Sequence, residues 1–326
     1  MFGQRFRQDE NAFLICAFGS LDPFKREMRR VRKEFGLADK EIEFKDFGMG
    51  PIQRALPAYL ETLNGYVPGL LFTLVVDKRL KSLFGSSHKS TLETLAQMLE
   101  ARGVGRRRPH VAEKVMRVVH TAAFLTALLG HEGQQIFWMS DHDAVCPNPA
   151  MHDQMLSLYD NILTLYTAKT FGRIGGGHPF DDRSTDFLDL LSAADIAVGA
   201  VGQYFTGRSA VGEEKLGVKP GAEKVLGWLG VDALALKKTC VMIAAGDGAI
   251  SRGRSNLRPV KSRNQRFFCR LSCAINGSGI QSASWRGSLG SQCPLSVEPG
   301  GLIAASRMAP SAHMRRSALP GPQWEQ

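Results

Sequence analysis

Several features that would fix the class of this chain are scarce in it. Its six cysteines are spread thinly over 326 residues, at 16, 146, 240, 269, 273 and 293, and that spacing builds no disulfide framework. No apolar stretch is long enough to span a bilayer; the best, Thr121 to Leu129, is bounded by His120 and His131. A secretory leader is not expected either. Arg5, Arg7, Asp9 and Glu10 precede an opening apolar run of only seven residues, so the expectation is a reduced, cytoplasmic protein with no membrane contact.

Catalytic signatures are scarce too. His131 and Glu132 lack the second His of a zinc-protease helix, and no Gly-x-Ser-x-Gly elbow occurs. Gly175, Gly176 and Gly177 read as a flexible loop, without the Lys and Ser or Thr of a phosphate-binding loop. Cys269, Cys273, Cys293 and His313 are too irregularly spaced for a zinc site.

Net charge is absent from most of the chain as well. Residues 1–250 carry 30 Lys and Arg against 29 Asp and Glu, a balance of +1, while residues 251–326 carry 11 against 2, a balance of +9. The basic excess is therefore a property of the tail. In that tail Ser, Gly and Pro make up 27 of 76 residues and hydrophobic periodicity fades, which reads as disorder. The change after about Lys238 also fits a translation that has left its native frame. A basic tail of this kind binds nucleic acid by phosphate charge, without sequence preference.

What is present reads as alternating strands and helices, with ample apolar content for a core. Ala12 to Phe18 is a short buried strand. Asp22 and Pro23 then offer a cap and first turn for a basic helix, Phe24 to Phe35, that stops at Gly36. A further helix over 51–64 must accommodate Pro57, and Gly69 to Val76 is a strong strand. Helical periodicity covers Leu92 to Arg102, Val111 to Leu129 and Met151 to Phe171, with Met155, Leu158, Ile162 and Leu165 on one side of the last. Arg106, Arg107 and Arg108 form a basic loop, either a solvated turn or a phosphate contact.

Two acidic positions stand out. Ile136 to Met139 reads as a buried strand ending at Ser140, Asp141, His142 and Asp143, and the ends of strands are where open α/β sheets place ligands. A solvated turn is the plainer reading of the same residues. Asp195 lies on the apolar stripe of a helix from Asp186 to Phe205, four residues after Leu191 and three before Val198. A carboxylate there needs a cation, or a neighbouring loop or Arg to bond. Gly199 and Gly202 thin the same face and let a backbone or ligand come close.

The order of these elements, with Glu43 and Lys45 in a Glu-x-Lys stretch, the strand ending in Asp141, and the helix DLLSAADIAVGAVGQY, resembles the ribonuclease-H-like family catalogued as domain of unknown function 3800. The likeness covers residues 10–206. It implies an α/β fold, a ribonuclease-H-like mixed sheet flanked by helices, over residues 1–238; composition reads the remainder, 239–326, as a basic low-complexity tail, disordered. It also implies that Glu43, Lys45, Asp141 and Asp195 act in catalysis, with Glu43, Asp141, Asp143 and Asp195 holding Mg2+ or Mn2+. Such ions stabilise charge on the attacking and leaving oxygens of a phosphodiester, so the implied activity is a metal-dependent nuclease acting on nucleic acid, with His142 as an assisting acid or base. Family members open with an Asp-Glu-Ser-Gly strand whose Asp is a principal metal ligand. The present sequence begins about where their second strand would, and Asp9 and Glu10 lack the Ser-Gly. A missing first strand leaves a sheet edge unpaired. It also supports the alternative, a non-catalytic scaffold or binding protein with an incomplete metal site.

Overall fold

The computed structural model describes residues 8–80, 82–85, 88–141, 143–177, 185–211, 218–245, 250–254 and 302–308. It is an α/β structure in which β1 (Gln8–Ala17), α1 (Asp22–Phe35), α2 (Gly50–Tyr66), β2 (Gly69–Asp77), α3 (His88–Ala101), α4 (Pro109–Leu129) and β3 (Gln135–Ser140) form the first half. There follow α5 (Pro149–Leu163), β4 (Arg173–Gly177), α6 (Thr185–Val211), α7 (Pro220–Leu229), β5 (Leu236–Ala245), β6 (Ile250–Arg254) and β7 (Leu302–Met308). None of the helices among the described residues is long and apolar enough to cross a membrane.

The sheet has two parts. One is a mixed group, β1-β2-β5-β6, and the other is the parallel pair β3-β4; β7 lies between them and completes the order β4-β3-β7-β1-β2-β5-β6. β2 and β5 run parallel, as do β3 and its two neighbours β4 and β7, whereas β1 is antiparallel to both β2 and β7.

Six successive residues of β1, Asn11 to Cys16, are buried. A continuous buried run rather than an alternation means that both faces of the strand are covered. The alternation instead sorts side chains between two cores. Ala12, Leu14 and Cys16 join a core with α1, α2, α6 and α7, while Phe13 and Ile15 join one with α3, α4 and α5.

Most expected elements occur, with shifted ends. Asp22 is the first residue of α1 rather than its cap, since Leu21 holds the cap position without a side-chain bond. Asp22 still places a negative charge in the first turn, and Gly36 closes the helix at φ 65°. Pro57 lies inside α2, which runs through it. α5 stops at Leu163, well short of Phe171, and Leu165 is 63% exposed rather than part of the apolar face. Tertiary pairing accounts for the early stop: Thr170 accepts a bond from the Gly133 N–H through its carbonyl, and the Gly172 N–H donates to the Gln134 carbonyl, which turns the chain back into the sheet.

That return makes the three glycines a strand and not a loop. Gly175, Gly176 and Gly177 pair in parallel with Phe137, Trp138 and Met139. A Cβ at Gly176 would stand 2.5 Å from the Trp138 carbonyl oxygen, so the close approach requires glycine. At the other end of the domain, β5 runs through position 238 and pairs with β2 from Gly69 to Val76. The change in composition there therefore falls within a strand. Of the expected disordered tail, residues 239–245, 250–254 and 302–308 are in strands; 246–249, 255–301 and 309–326, with Cys269, Cys273, Cys293 and His313, lie outside the described residues.

Candidate functional site

The predicted site residues fall into two groups on different elements. Glu43, Lys45 and Asp195 are brought together beside α6. A 3-10 turn over Phe44–Asp46 rests on the helix, and the Asp195 carboxylate accepts the Phe44 backbone N–H at 2.7 Å. Glu43 pairs with Lys45, whose side chain is largely exposed. The contact is close because α6 carries Gly199 one turn further on: a Cβ there would lie 2.6 Å from Phe44 Cβ and overlap its ring. The thinned helix face thus receives the chain's own Phe44. Asp195 itself is partly exposed, at the flank of the helix rather than on its buried stripe.

The fully buried acid of α6 is Asp189, which sequence reasoning missed. It is 1% exposed, and its two oxygens accept from Arg32 Nε at 2.9 Å and Nη2 at 2.5 Å. The same guanidinium donates to the carbonyls of Ala38 and Lys40, and the Asp189 carbonyl takes the Tyr59 hydroxyl at 2.6 Å. Burial raises the Asp189 carboxyl above its ordinary range, against the opposing pull of Arg32. Asp189 lies six residues before Asp195, flanked by Leu188, Leu190 and Leu191. The signal available in the sequence was an acid inside an apolar run, whereas Arg32 is one of six Lys and Arg in α1 and is not singled out.

The second group stands at the carboxyl ends of the parallel strands. Asp141 follows β3 and is partly exposed. Asp143 caps the loop behind it, one carboxylate oxygen accepting the N–H groups of Val145 at 2.7 Å and Cys146 at 3.0 Å. Burial raises its carboxyl, the two backbone bonds oppose that, and the Asp141 charge adds to the rise. His142 lies outside the described residues.

Because β1 is antiparallel to β2, its amino end lies on this same edge, with Asp9 opposite Val76 and Gln8 opposite Asp77. Asp9 accepts from Arg117 at 3.2 Å and pairs with Lys78 at 2.9 Å. Burial would push its carboxyl up, but the Lys78 hydrogen bond and the charges of Arg117, Lys78 and Lys114 outweigh that and hold it below the ordinary value. Neighbouring Glu10 turns to the opposite face, against α6 at Gly202, where burial first and the Asp9 charge second raise its carboxyl to about 7. Lys114 acts on both Asp9 and Asp143, so α4 ties the start of β1 to the loop after β3.

A cavity of about 250 Å³ opens here, lined in part by Asp9, Lys78, His110, Glu113, Lys114 and Arg117. Arg117 is 3% exposed, and its Nε–H meets no hydrogen-bond acceptor among the described residues. The lining carries cations that can hold anionic oxygens and carboxylates that can hold a cation or take a proton. As for a divalent ion, Glu43, Asp141, Asp143 and Asp195 are all described, and among the described residues no three His, Cys, Asp or Glu side chains are grouped so as to hold one. Compared with known proteins, the chain matches no family model, no curated protein sequence and no solved structure.

Proposed function

We propose that this chain is a ribonuclease-H-like binding protein that takes a nucleic-acid backbone at the carboxyl edge of its sheet and carries an incomplete metal site. The observation behind this reading is the cavity beside α4. Lys78, Lys114 and the buried Arg117 line it together, at the strand ends where α/β sheets bind ligands, while Glu43 and Asp195 are engaged with the 43–46 segment beside α6. The recess holds these cations together with Asp9, Asp77 and Glu113, and a phosphate oxygen would take the Arg117 Nε–H, which no described residue accepts, by a contact that does not read sequence. The ribonuclease-H-like part of the reading draws on the resemblance over residues 10–206 and on a place beside β1 for a further strand, which β7 takes. None of the seven residues of β7 is acidic, so the strand beside β1 supplies no carboxylate to a metal site.

Fluorescence anisotropy with labelled single-stranded and duplex oligonucleotides tests the proposal. Lys114→Ala is expected to weaken binding about uniformly across sequences and to reduce the salt slope by roughly 0.7 to 0.9, the value of one phosphate contact. Unchanged affinity and slope would assign all binding to the basic tail.

The metal-dependent nuclease remains a second reading because of one feature. Asp9, Glu10, Asp77, Asp141 and Asp143 all lie toward the same sheet edge, and burial raises the Glu10 carboxyl to about 7, so that it is about half protonated near neutral pH. Melting temperature with and without millimolar Mn2+ separates the readings. An ion at one hundred times its dissociation constant stabilises the fold by about 2.7 kcal/mol. A shift abolished by both Asp141→Asn and Glu10→Gln would establish the carboxylate site and favour the nuclease; no shift supports the binding protein.

A further inference from the structure

Among the described residues, only β7 links the two parts of the sheet by hydrogen bonds. On one side it pairs antiparallel with β1 from Asn11 to Ala17, and on the other it pairs parallel with β3 from Ile136 to Ser140. Withdrawing it would leave seven residues of β1 and five of β3 with open backbone edges in the interior of the sheet. Open edges of that kind are templates for another strand.

The strand that fills this slot comes from far away in the chain. β6 ends at Arg254 and β7 begins at Leu302, so residues 255–301 connect them. β6 and β7 are four strand positions apart in the sheet, about 19 Å at ordinary strand spacing. A connection of this length can extend to roughly 150 Å. That covalent limit does not bar the slot of a neighbouring molecule. Both closures make the same backbone hydrogen bonds, in the same register, and they differ only in the entropy of bringing the strand to the slot.

We propose that the slot between β1 and β3 is an exchangeable strand-acceptor site, and that its second occupant is residues 302–308 of another copy of this chain, giving a strand-swapped dimer. The chain's own strand wins in dilute solution. The exchange becomes visible as protein concentration approaches the effective concentration of the tethered strand, on the order of 1 mM.

Light scattering of the full chain from about 20 μM to 1 mM, after equilibration, reads the exchange. The expected result is a mass rising from that of one chain, 35.7 kDa, toward twice that value. A peptide of residues 301–309 in excess should return the dimer to one chain, because it occupies the same slot. Ala305→Pro places a residue with no N–H opposite both Leu14 and Met139, and it should abolish the dimer and admit the labelled peptide at least ten-fold more tightly than wild type does. A wild-type mass constant over the whole range overturns the proposal. So does a dimer that the peptide leaves intact, an outcome readable on the wild-type chain even where Ala305→Pro does not fold.

Discussion

Replacing Glu10 with Gln will flatten a loss of stability that the wild-type chain shows as pH rises from 5 to 8. Glu10 lies at the amino end of β1, where a Cβ at Gly202 of α6 would be 3.4 Å from its carboxyl carbon, and burial together with Asp9 raises its carboxyl from 4.5 to about 7. The folded state thus holds the proton more tightly than the unfolded chain does. A raised carboxyl of this kind contributes stability that is fully present below the unfolded value and is lost as pH climbs through the folded one. A shift from 4.5 to about 7 corresponds to about 3 kcal/mol in total, of which about 2.5 kcal/mol is lost between pH 5 and pH 8. Gln fills nearly the same volume, stays neutral and keeps a donor, so it carries no such term. The assay is urea unfolding of both proteins at pH 5, 6, 7 and 8, with stability extrapolated to zero denaturant. The variant should gain on wild type steadily across the series. A difference that is constant within error would refute the reasoning, because it would mean that Glu10 titrates alike in the folded and unfolded chains.

Further substitutions probe the rest of the structure. Asp189→Asn leaves the Arg32 guanidinium buried without its counter-charge, and should cost about 3 to 5 kcal/mol in urea unfolding, whereas Arg32→Met with Asp189→Leu should recover most of it; equal losses in the single and double variants would contradict the pairing. Gly199→Ala drives a methyl into the Phe44 ring and should destabilise by about 1 to 3 kcal/mol. It should also speed backbone amide exchange at Phe44, whose N–H the Asp195 carboxylate holds, and unaltered exchange there would argue against the contact. Asp143→Ala frees the N–H groups of Val145 and Cys146, and a loss of about 1 to 2 kcal/mol, seen as a lower melting temperature, is the expected result.

Much of the local structure was legible in the residues. The run Gly69 to Val76 and the short apolar stretch before Ser140 are strands, and the helix through Asp195 forms, because burial on both faces or along one stripe leaves a pattern that needs no tertiary knowledge. Pairs far apart in sequence left weaker marks. The Arg32 and Asp189 side chains are 157 residues apart; Asp189 alone reads as a charge among leucines, and Arg32 as one more cation of a basic helix. The Asp195 carboxylate was foreseen as needing a partner; that the partner would be the Phe44 N–H depended on where the 44–46 turn lands.

What the sequence by itself determined is the α/β class, the positions of most strands and helices, and the place of Asp141 and Asp143 just after a buried strand, all of which follow from local hydrophobic period and turn chemistry. What only the tertiary structure decided is partnership. The direction of β1 brings Asp9 to the edge that α4 lines with Lys114 and Arg117, pairing with β3 turns three glycines into a strand, and the interior slot of the sheet is filled from residues 302–308. The physical reason is the same in each case. Backbone hydrogen bonds between strands and ion pairs between distant elements are satisfied by whichever segments the fold brings together, and the period of a segment specifies which face it buries but not what it meets there.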